Sequence, residues 1–290
     1  MSRFFSRCFS ARQWVCLCLG VALLLPVGAQ ELRPGSGWLK PGGSWEFKQP
    51  IRVLLTGDSL MESLGPQMRS SLSGYTNMTL IPIGKKSTGL SRPDFYNWPK
   101  VLNEHLVADK PHLVIMWVGT NDPQGIYGMS GLGEPCSRAW QLAYLGTVRE
   151  VFRLVQQHKA RLILMGPPTV AEAKLDSQLA QINKLMAWAC KNWENKYGGV
   201  CYVDTRAIMS DGRGRYISAG EVPGGQSAVL RTQDGVHITT EGNRRVMHHL
   251  LPYVSRELRR CFQPESRSAA PAYSRGAGLS GKSGSSARSR

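Results

Sequence analysis

The sequence predicts an α/β domain built on a five-stranded parallel sheet with helices on both faces. From about Pro50 onward, short β-branched or apolar runs alternate with longer segments of helical period, the pattern of repeated strand–helix–strand units. With 290 residues, 42% of them hydrophobic, the chain can bury a sizeable core without splitting into many small domains. The strands are expected at Arg52 to Thr56, Met78 to Ile83, Leu113 to Val118, Arg161 to Met165 and Val200 to Asp204. The helices between them run from Met61 to Ser73, Trp98 to Ala108, Arg138 to His158, Asp176 to Tyr197 and Thr240 to Arg260. In the fourth, Leu179, Ile182, Leu185, Met186 and Ala189 recur at helical spacing and form an apolar face for the sheet. Two Gly-rich stretches, Pro123 to Cys136 and Ala207 to Gln233, read as long loops, which in a compact domain are usually functional or mobile.

The ends of the chain read differently. Arg3, Arg7 and Arg12 precede an apolar stretch from Trp14 to Leu25 and the small residues Gly28 and Ala29, which reads as a secretory signal peptide over residues 1–29. An uncleaved anchor is the alternative, but the apolar run is shorter than the ~20 residues that cross a bilayer. The protein is therefore expected to be periplasmic or secreted, with no stable membrane span once the leader is removed. Residues 30–49 hold Pro34, Gly35, Pro41, Gly42 and Gly43 with little periodicity and read as an extended linker. Residues 50–262 make the domain. Residues 263–290, rich in Ser, Gly, Ala and Arg, read as a disordered basic tail.

The formal charge of +16 is less telling than its size suggests. The leader carries three of those charges and the tail a net four, leaving nine for the rest. The Lys and Arg residues are scattered, with no nucleic-acid-binding signature beside them, so no nucleic-acid partner is expected. Outside the leader, Cys136, Cys190, Cys201 and Cys261 form an even set. Cys190 with Cys201, bracketing a short helix-to-strand connection, is the favoured disulfide, and four buried thiols is the alternative. No metal-ligand spacing is present and no cofactor is implied.

Four polar motifs fall where the strands end, the place at which open parallel sheets bind ligands. Gly57-Asp58-Ser59 closes the first strand, Ser87-Thr88-Gly89 follows the second, Gly119-Thr120-Asn121-Asp122 closes the third, and Asp234-Gly235-Val236-His237 precedes the last helix. Singly, each reads equally as a turn or a helix cap. Together they supply a hydroxyl, an imidazole and a carboxylate, the parts a serine nucleophile needs. Asp234 and His237, three positions apart on one turn, can both face Ser59. Asp58 either stiffens the nucleophile turn or simply caps the helix. His248 and His249 on the last helix read as ordinary surface histidines. Trp188 and Trp193 read as core or edge packing.

These blocks resemble those of the SGNH, or GDSL, hydrolase superfamily over Arg52 to Leu251. Within it, Gly57-Asp58-Ser59-Leu60-Met61, Ser87 to Phe95 and Asp234 to Thr239 resemble the periplasmic DUF459 group. The resemblance implies a flavodoxin-like three-layer fold and carbon–oxygen ester chemistry. It makes Ser59 the nucleophile, His237 the general base and Asp234 the group that orients the imidazole. It places the oxyanion hole at the backbone N–H of Ser59, the backbone N–H of Gly89 and the side-chain amide of Asn121. Gly84 competes with Gly89 for the second position, and Gly89 is preferred because it lies in the Ser-Thr-Gly-Leu run. Tyr96 and Trp98 are candidates for an acyl or glycan pocket, and Arg92 for an anionic acyl group. The function expected is an exported serine esterase or O-acyltransferase acting on an acylated carbohydrate, such as an envelope glycan, or another ester. The alternatives are a non-catalytic glycan-binding or assembly factor, and a lysophospholipase or thioesterase.

Overall fold

The five expected strands form one parallel sheet in the order β2-β1-β3-β4-β5 in a computed structural model that describes residues 44–262. They are β1 (Ser44–Gly57), β2 (Gly74–Gly84), β3 (Leu113–Trp117), β4 (Arg161–Met165) and β5 (Val200–Val203). The proposed leader, most of the proposed linker and the proposed tail lie outside the described residues. Helices α1 (Ser59–Ser71), α2 (Trp98–Ala108), α3 (Arg138–Gln157) and α4 (Ala173–Tyr197) make the crossovers, and α6 (Thr240–Phe262) closes the chain.

The sheet divides the core in two because alternate strand residues face opposite ways. Val53, Leu55, Ile115, Trp117, Ile163 and Met165 pack with α1 and α6, through Leu60, Leu64, Met68, Val246, Leu250 and Val254. Leu54, Val114, Met116, Leu162 and Leu164 pack with α2, α3 and α4, through Leu102, Trp140, Phe152, Leu179 and Ile182. β3 and β4 are buried on both faces along their whole length, as parallel strands covered by helices must be. This is the three-layer α/β arrangement.

Three features differ from the sequence reading. Strand β1 begins at Ser44, ahead of the expected start near Pro50, and Ser44 to Glu46 pair with Gly74 to Thr76. The register shifts between Glu46 and Ile51, a span containing Pro50, which has no N–H to donate to a ladder. The stretch Ala207 to Gln233 is not a plain loop. It holds an antiparallel hairpin, β6 (Ala219–Val222) with β7 (Gln226–Val229), after the single-turn helix α5 (Thr205–Ile208). The favoured Cys190–Cys201 disulfide is absent, and all four described cysteines are free thiols. Cys190 packs in the α2–α4 layer and Cys201 in the α1–α6 layer, so the sheet lies between the two side chains.

No helix among the described residues is long and apolar enough to cross a membrane. At the amino ends of the strands, Glu257 of α6 is fully buried yet ionically paired. It accepts from Arg161 at 2.7 Å and Arg256 at 2.8 Å, with Arg260 at 3.4 Å. Removing one partner of such a cluster leaves buried charge uncompensated. Replacing Glu257 with Ala should lower unfolding free energy by about 3 kcal/mol, read by urea denaturation.

Candidate active site

Strand order fixes where the site lies. β1 is flanked by β2 on one side and β3 on the other, so the crossovers diverge at its carboxyl end and open a crevice there. Ser59, the first residue of α1, stands at that crevice, half-buried. The turn that presents it is set by Asp58, whose side chain caps α1 by accepting from Leu60 N–H at 2.9 Å.

The distal partners come from the segment just ahead of α6. Thr232 N–H donates to the His237 carbonyl at 3.0 Å, and Gly235 N–H donates to the Thr232 carbonyl at 3.0 Å, closing a compact turn. Gly235 sits at φ +69°, and a Cβ there would strike Ala171, so only glycine fits. Within the turn, Asp234 Oδ1 accepts from the backbone N–H groups of Val236 and His237 at 2.9 Å each, and from Thr232 Oγ1 at 2.7 Å. Its Oδ2 lies 2.6 Å from His237 Nδ1. The opposite ring nitrogen, Nε2, lies 2.9 Å from Ser59 Oγ. A carboxylate on Nδ1 selects the tautomer with its proton there, leaving Nε2 free to accept from the Ser59 hydroxyl.

Electrostatics favour a charged Asp234. Its limited burial pushes the carboxyl up, but the hydrogen bonds from His237, Thr232 and the two backbone N–H groups outweigh it and hold the group well below the ordinary carboxylate range. The structure thus brings Ser59, His237 and Asp234 into one hydrogen-bonded chain.

The oxyanion candidates Gly89 and Asn121 come from the segments after β2 and β3. Asn121 Nδ2 donates one proton to the Thr88 carbonyl at 2.9 Å, which fixes the amide and leaves its second N–H free to be donated. Gly89 follows Thr88 directly. Its missing Cβ has a different reason from substrate access, because a Cβ there would run into the Asp122 carboxylate. Gly84 lies elsewhere, against the first turn of α1 near Glu62.

The three expected substrate contacts fare differently. Trp98 is fully buried in the α2–α4 layer and donates Nε1–H to Thr88 Oγ1 at 2.9 Å. It has no face to offer a sugar or acyl chain, which corrects that expectation, and instead it anchors the residue before Gly89. Tyr96 is half-buried, with its ring edge-on to Trp98 at 4.8 Å. Arg92 holds Asp94 through two contacts at 2.8 and 2.6 Å and Gln124 Oε1 at 3.3 Å, so its bidentate fork is already occupied. His248 and His249 are exposed on α6, and no cluster of three or more potential metal ligands occurs among the described residues.

Sequence reasoning missed Arg231. It is buried between the segments that position the site, donating to the Thr169 carbonyl at 2.5 Å and the Val236 carbonyl at 2.9 Å. Burial pulls the guanidinium down to about 10, still charged at neutral pH. A buried arginine aimed at two carbonyls has no local sequence signature.

Comparison with known proteins points the same way for the architecture. The family model described as "Protein of unknown function (DUF459)" matches residues 52–253. No curated protein matches the sequence. Among solved structures, a GDSL-like lipase from Bacteroides thetaiotaomicron superposes with a TM-score of 0.50 at 19% identity, over 73% of this chain and 93% of that one. A putative acylhydrolase from Bacteroides fragilis gives 0.49 at 22% identity, over 73% and 90% of the two chains. An acetylxylan esterase from Geobacillus stearothermophilus, solved as a catalytic mutant, gives 0.49 at 14%, over 75% and 96%. The first of these shares the fold, as the superfamily resemblance implied.

Two outcomes test the site's construction. Burial, opposed by the Leu60 N–H and reinforced by the charge of Asp122, pushes Asp58 up to about 7. A carboxyl raised on folding stabilises the protein below its unfolded value near 4, and that contribution is lost as pH rises through 7. Asp58→Asn should therefore gain thermal stability relative to wild type as pH goes from 4 to 8, followed by melting temperature across that range. Gly89→Ala should displace the loop after β2 against Asp122 and cost on the order of 1–3 kcal/mol, measured by the same denaturation assay used for Glu257.

Proposed function

The chain belongs to the DUF459 family, and from that premise we propose that it is an exported serine hydrolase that cleaves carboxylic esters. The observation that carries this reading is the unbroken chain Ser59 Oγ, His237 Nε2, His237 Nδ1 and Asp234 Oδ2, at 2.9 and 2.6 Å. The Asn121 amide is fixed to the Thr88 carbonyl, next to Gly89, which supports its reading as an oxyanion donor.

In the proposed reaction, Ser59 Oγ attacks the ester carbonyl while His237 Nε2 takes the hydroxyl proton. Asp234 stabilises the imidazolium that forms and keeps the ring aligned. The carbonyl oxygen becomes an oxyanion, met by the N–H groups of Ser59 and Gly89 and by the Asn121 amide. Collapse of the tetrahedral intermediate breaks the bond to the alcohol, which leaves with the proton from His237 and deposits the acyl group on Ser59. Water, deprotonated by His237, then attacks the acyl-enzyme, and the carboxylic acid departs as Ser59 regains its proton.

Hydrolysis is favoured over acyl transfer because the base side lies open. The side chains of His237 and Asp234 are 45% and 50% exposed, and an acyl-enzyme with water at its base is short-lived. For the substrate, we propose an ester on an exported acylated carbohydrate such as an envelope glycan, since an open rim accepts a group carried on a bulky polymer. A second reading has its own support. Tyr127 and Met129 on the loop after β3, and Phe95 on the loop after β2, are more than half exposed. Tyr127 N–H is tied to the Ser91 carbonyl at 3.1 Å, two residues from Gly89. Apolar groups at that distance favour an apolar acyl chain, as in a lysophospholipid or thioester.

A fluorophosphonate probe should label the wild-type protein at Ser59 and leave Ser59→Ala unlabelled. Asp234→Asn should cut ester turnover by about 10³-fold or more, since an amide can donate to Nδ1 and hold the wrong tautomer. Intact protein that neither labels nor hydrolyses p-nitrophenyl esters would instead be a glycan-binding factor. The ratio of rates on acetyl and octanoyl esters separates the two substrate classes.

A further inference from the structure

Behind the proposed oxyanion donors lies a buried carboxylate that the reaction itself does not use. Asp122 is fully buried, immediately after Asn121. Its Oδ1 accepts from Ser91 N–H at 2.9 Å and from Ser91 Oγ at 3.1 Å. The same oxygen occupies the space that a Cβ on Gly89 would need. Its Oδ2 accepts from the Tyr144 hydroxyl at 2.6 Å. Tyr144 is itself fully buried and stacks on Trp140 at 4.7 Å, one helical turn earlier on α3. Trp140 in turn donates Nε1–H to the Gln124 carbonyl at 2.7 Å. Helix α3 therefore grips the segment after β3 at two points, and through Asp122 it reaches the loop after β2.

A buried carboxylate needs a reason to be there, because desolvation works against it. Burial pushes Asp122 up, against the hydrogen bonds from Tyr144 and Ser91. Two donors from Ser91 on the loop after β2 and one from Tyr144 on helix α3 converge on it, and two of the three proposed oxyanion donors belong to Gly89, two residues before Ser91, and Asn121, one residue before Asp122. We propose that Asp122, held by Tyr144, is a positioning residue that sets the Gly89 N–H and the Asn121 amide at the spacing the oxyanion requires. It touches no substrate. Its effect passes through the loop of Thr88 to Ser91, whose backbone it ties to the residue beside Asn121. The inference rests on the serine hydrolase reading for its kinetic consequence but not for its structural one.

The arrangement makes a specific kinetic demand. Oxyanion donors act on charge that exists only in the transition state, so loosening them lowers kcat and spares KM. Misplacement by about 1 Å costs on the order of 100-fold in rate. With p-nitrophenyl acetate as the probe, Asp122→Ala should lower kcat by ~100-fold with KM changed less than threefold. Asp122→Asn keeps an acceptor for Ser91 and an N–H that the Tyr144 oxygen can accept, so it should recover activity to within ~10-fold of wild type. Tyr144→Phe, which removes one hydrogen bond and no volume, should lower kcat by roughly 10-fold and keeps the idea testable if the alanine variant does not fold.

In parallel, peptide hydrogen exchange over residues 85–92 should rise in Asp122→Ala and Tyr144→Phe but not in Asp122→Asn, a readout independent of any activity. A folded Asp122→Ala variant with wild-type kcat would overturn the proposal. So would equal losses in kcat and substrate affinity without rescue by Asn, which mark a merely structural role. A wild-type protein inert to the ester and to fluorophosphonate defeats the hydrolase reading alone. Unchanged exchange in the variants would then defeat the positioning role by itself.

Discussion

The Ser59–His237 contact spans 178 positions of chain, and the rest of the site is arranged around making that contact possible. It depends on β1 being an interior strand. Because β2 pairs on one side and β3 on the other, every crossover returns to the same rim, and residues following β1, β2 and β3 meet within a hydrogen bond's reach. A strand at the sheet edge would present Ser59 to only one neighbouring loop. The 2.9 Å geometry follows from topology first and from local side-chain chemistry second.

The two halves of the site are supported in different ways. The base and its carboxylate sit on a short turn whose donors are mostly its own backbone, with Arg231 tying it to the segment after β4. The proposed oxyanion half is held by side chains: Trp98 on Thr88, Asn121 on Thr88, Asp122 on Ser91 and Tyr144 on Asp122. Exposure follows the same division. His237 and Asp234 face solvent while Asp122 and Tyr144 are sealed. In the proposed reaction, water would reach the exposed base side, while the proposed oxyanion donors are backed by buried groups, an environment in which preorganised dipoles act most strongly.

Much of this was legible in the sequence, for physical reasons. Apolar runs such as Leu113 to Val118 fix buried parallel strands because both faces are covered, and the four polar motifs at strand ends fix the rim. The start of β1 was hidden because Ser44 to Pro50 carries no apolar run. The β6–β7 hairpin was hidden because Ala219 to Val229 lacks a clear alternation. Trp98 was misread because a sequence gives an aromatic's neighbours but not its direction. It points inward to Thr88 instead of outward to a ligand. Tyr144 escaped notice for the opposite reason: on an amphipathic helix it reads as core, and its hydroxyl matters only once Asp122 is placed opposite. Asp122 itself looked like a turn residue beside the more telling Asn121.

The four described thiols never pair, and the sheet itself separates Cys190 from Cys201. No covalent staple therefore enters the cohesion of residues 44–262, which rests on apolar burial and on clusters such as that around Glu257. Burial holds the Cys201 sulfur as an un-ionised thiol, at about 12, and so withholds from oxidants the thiolate they attack.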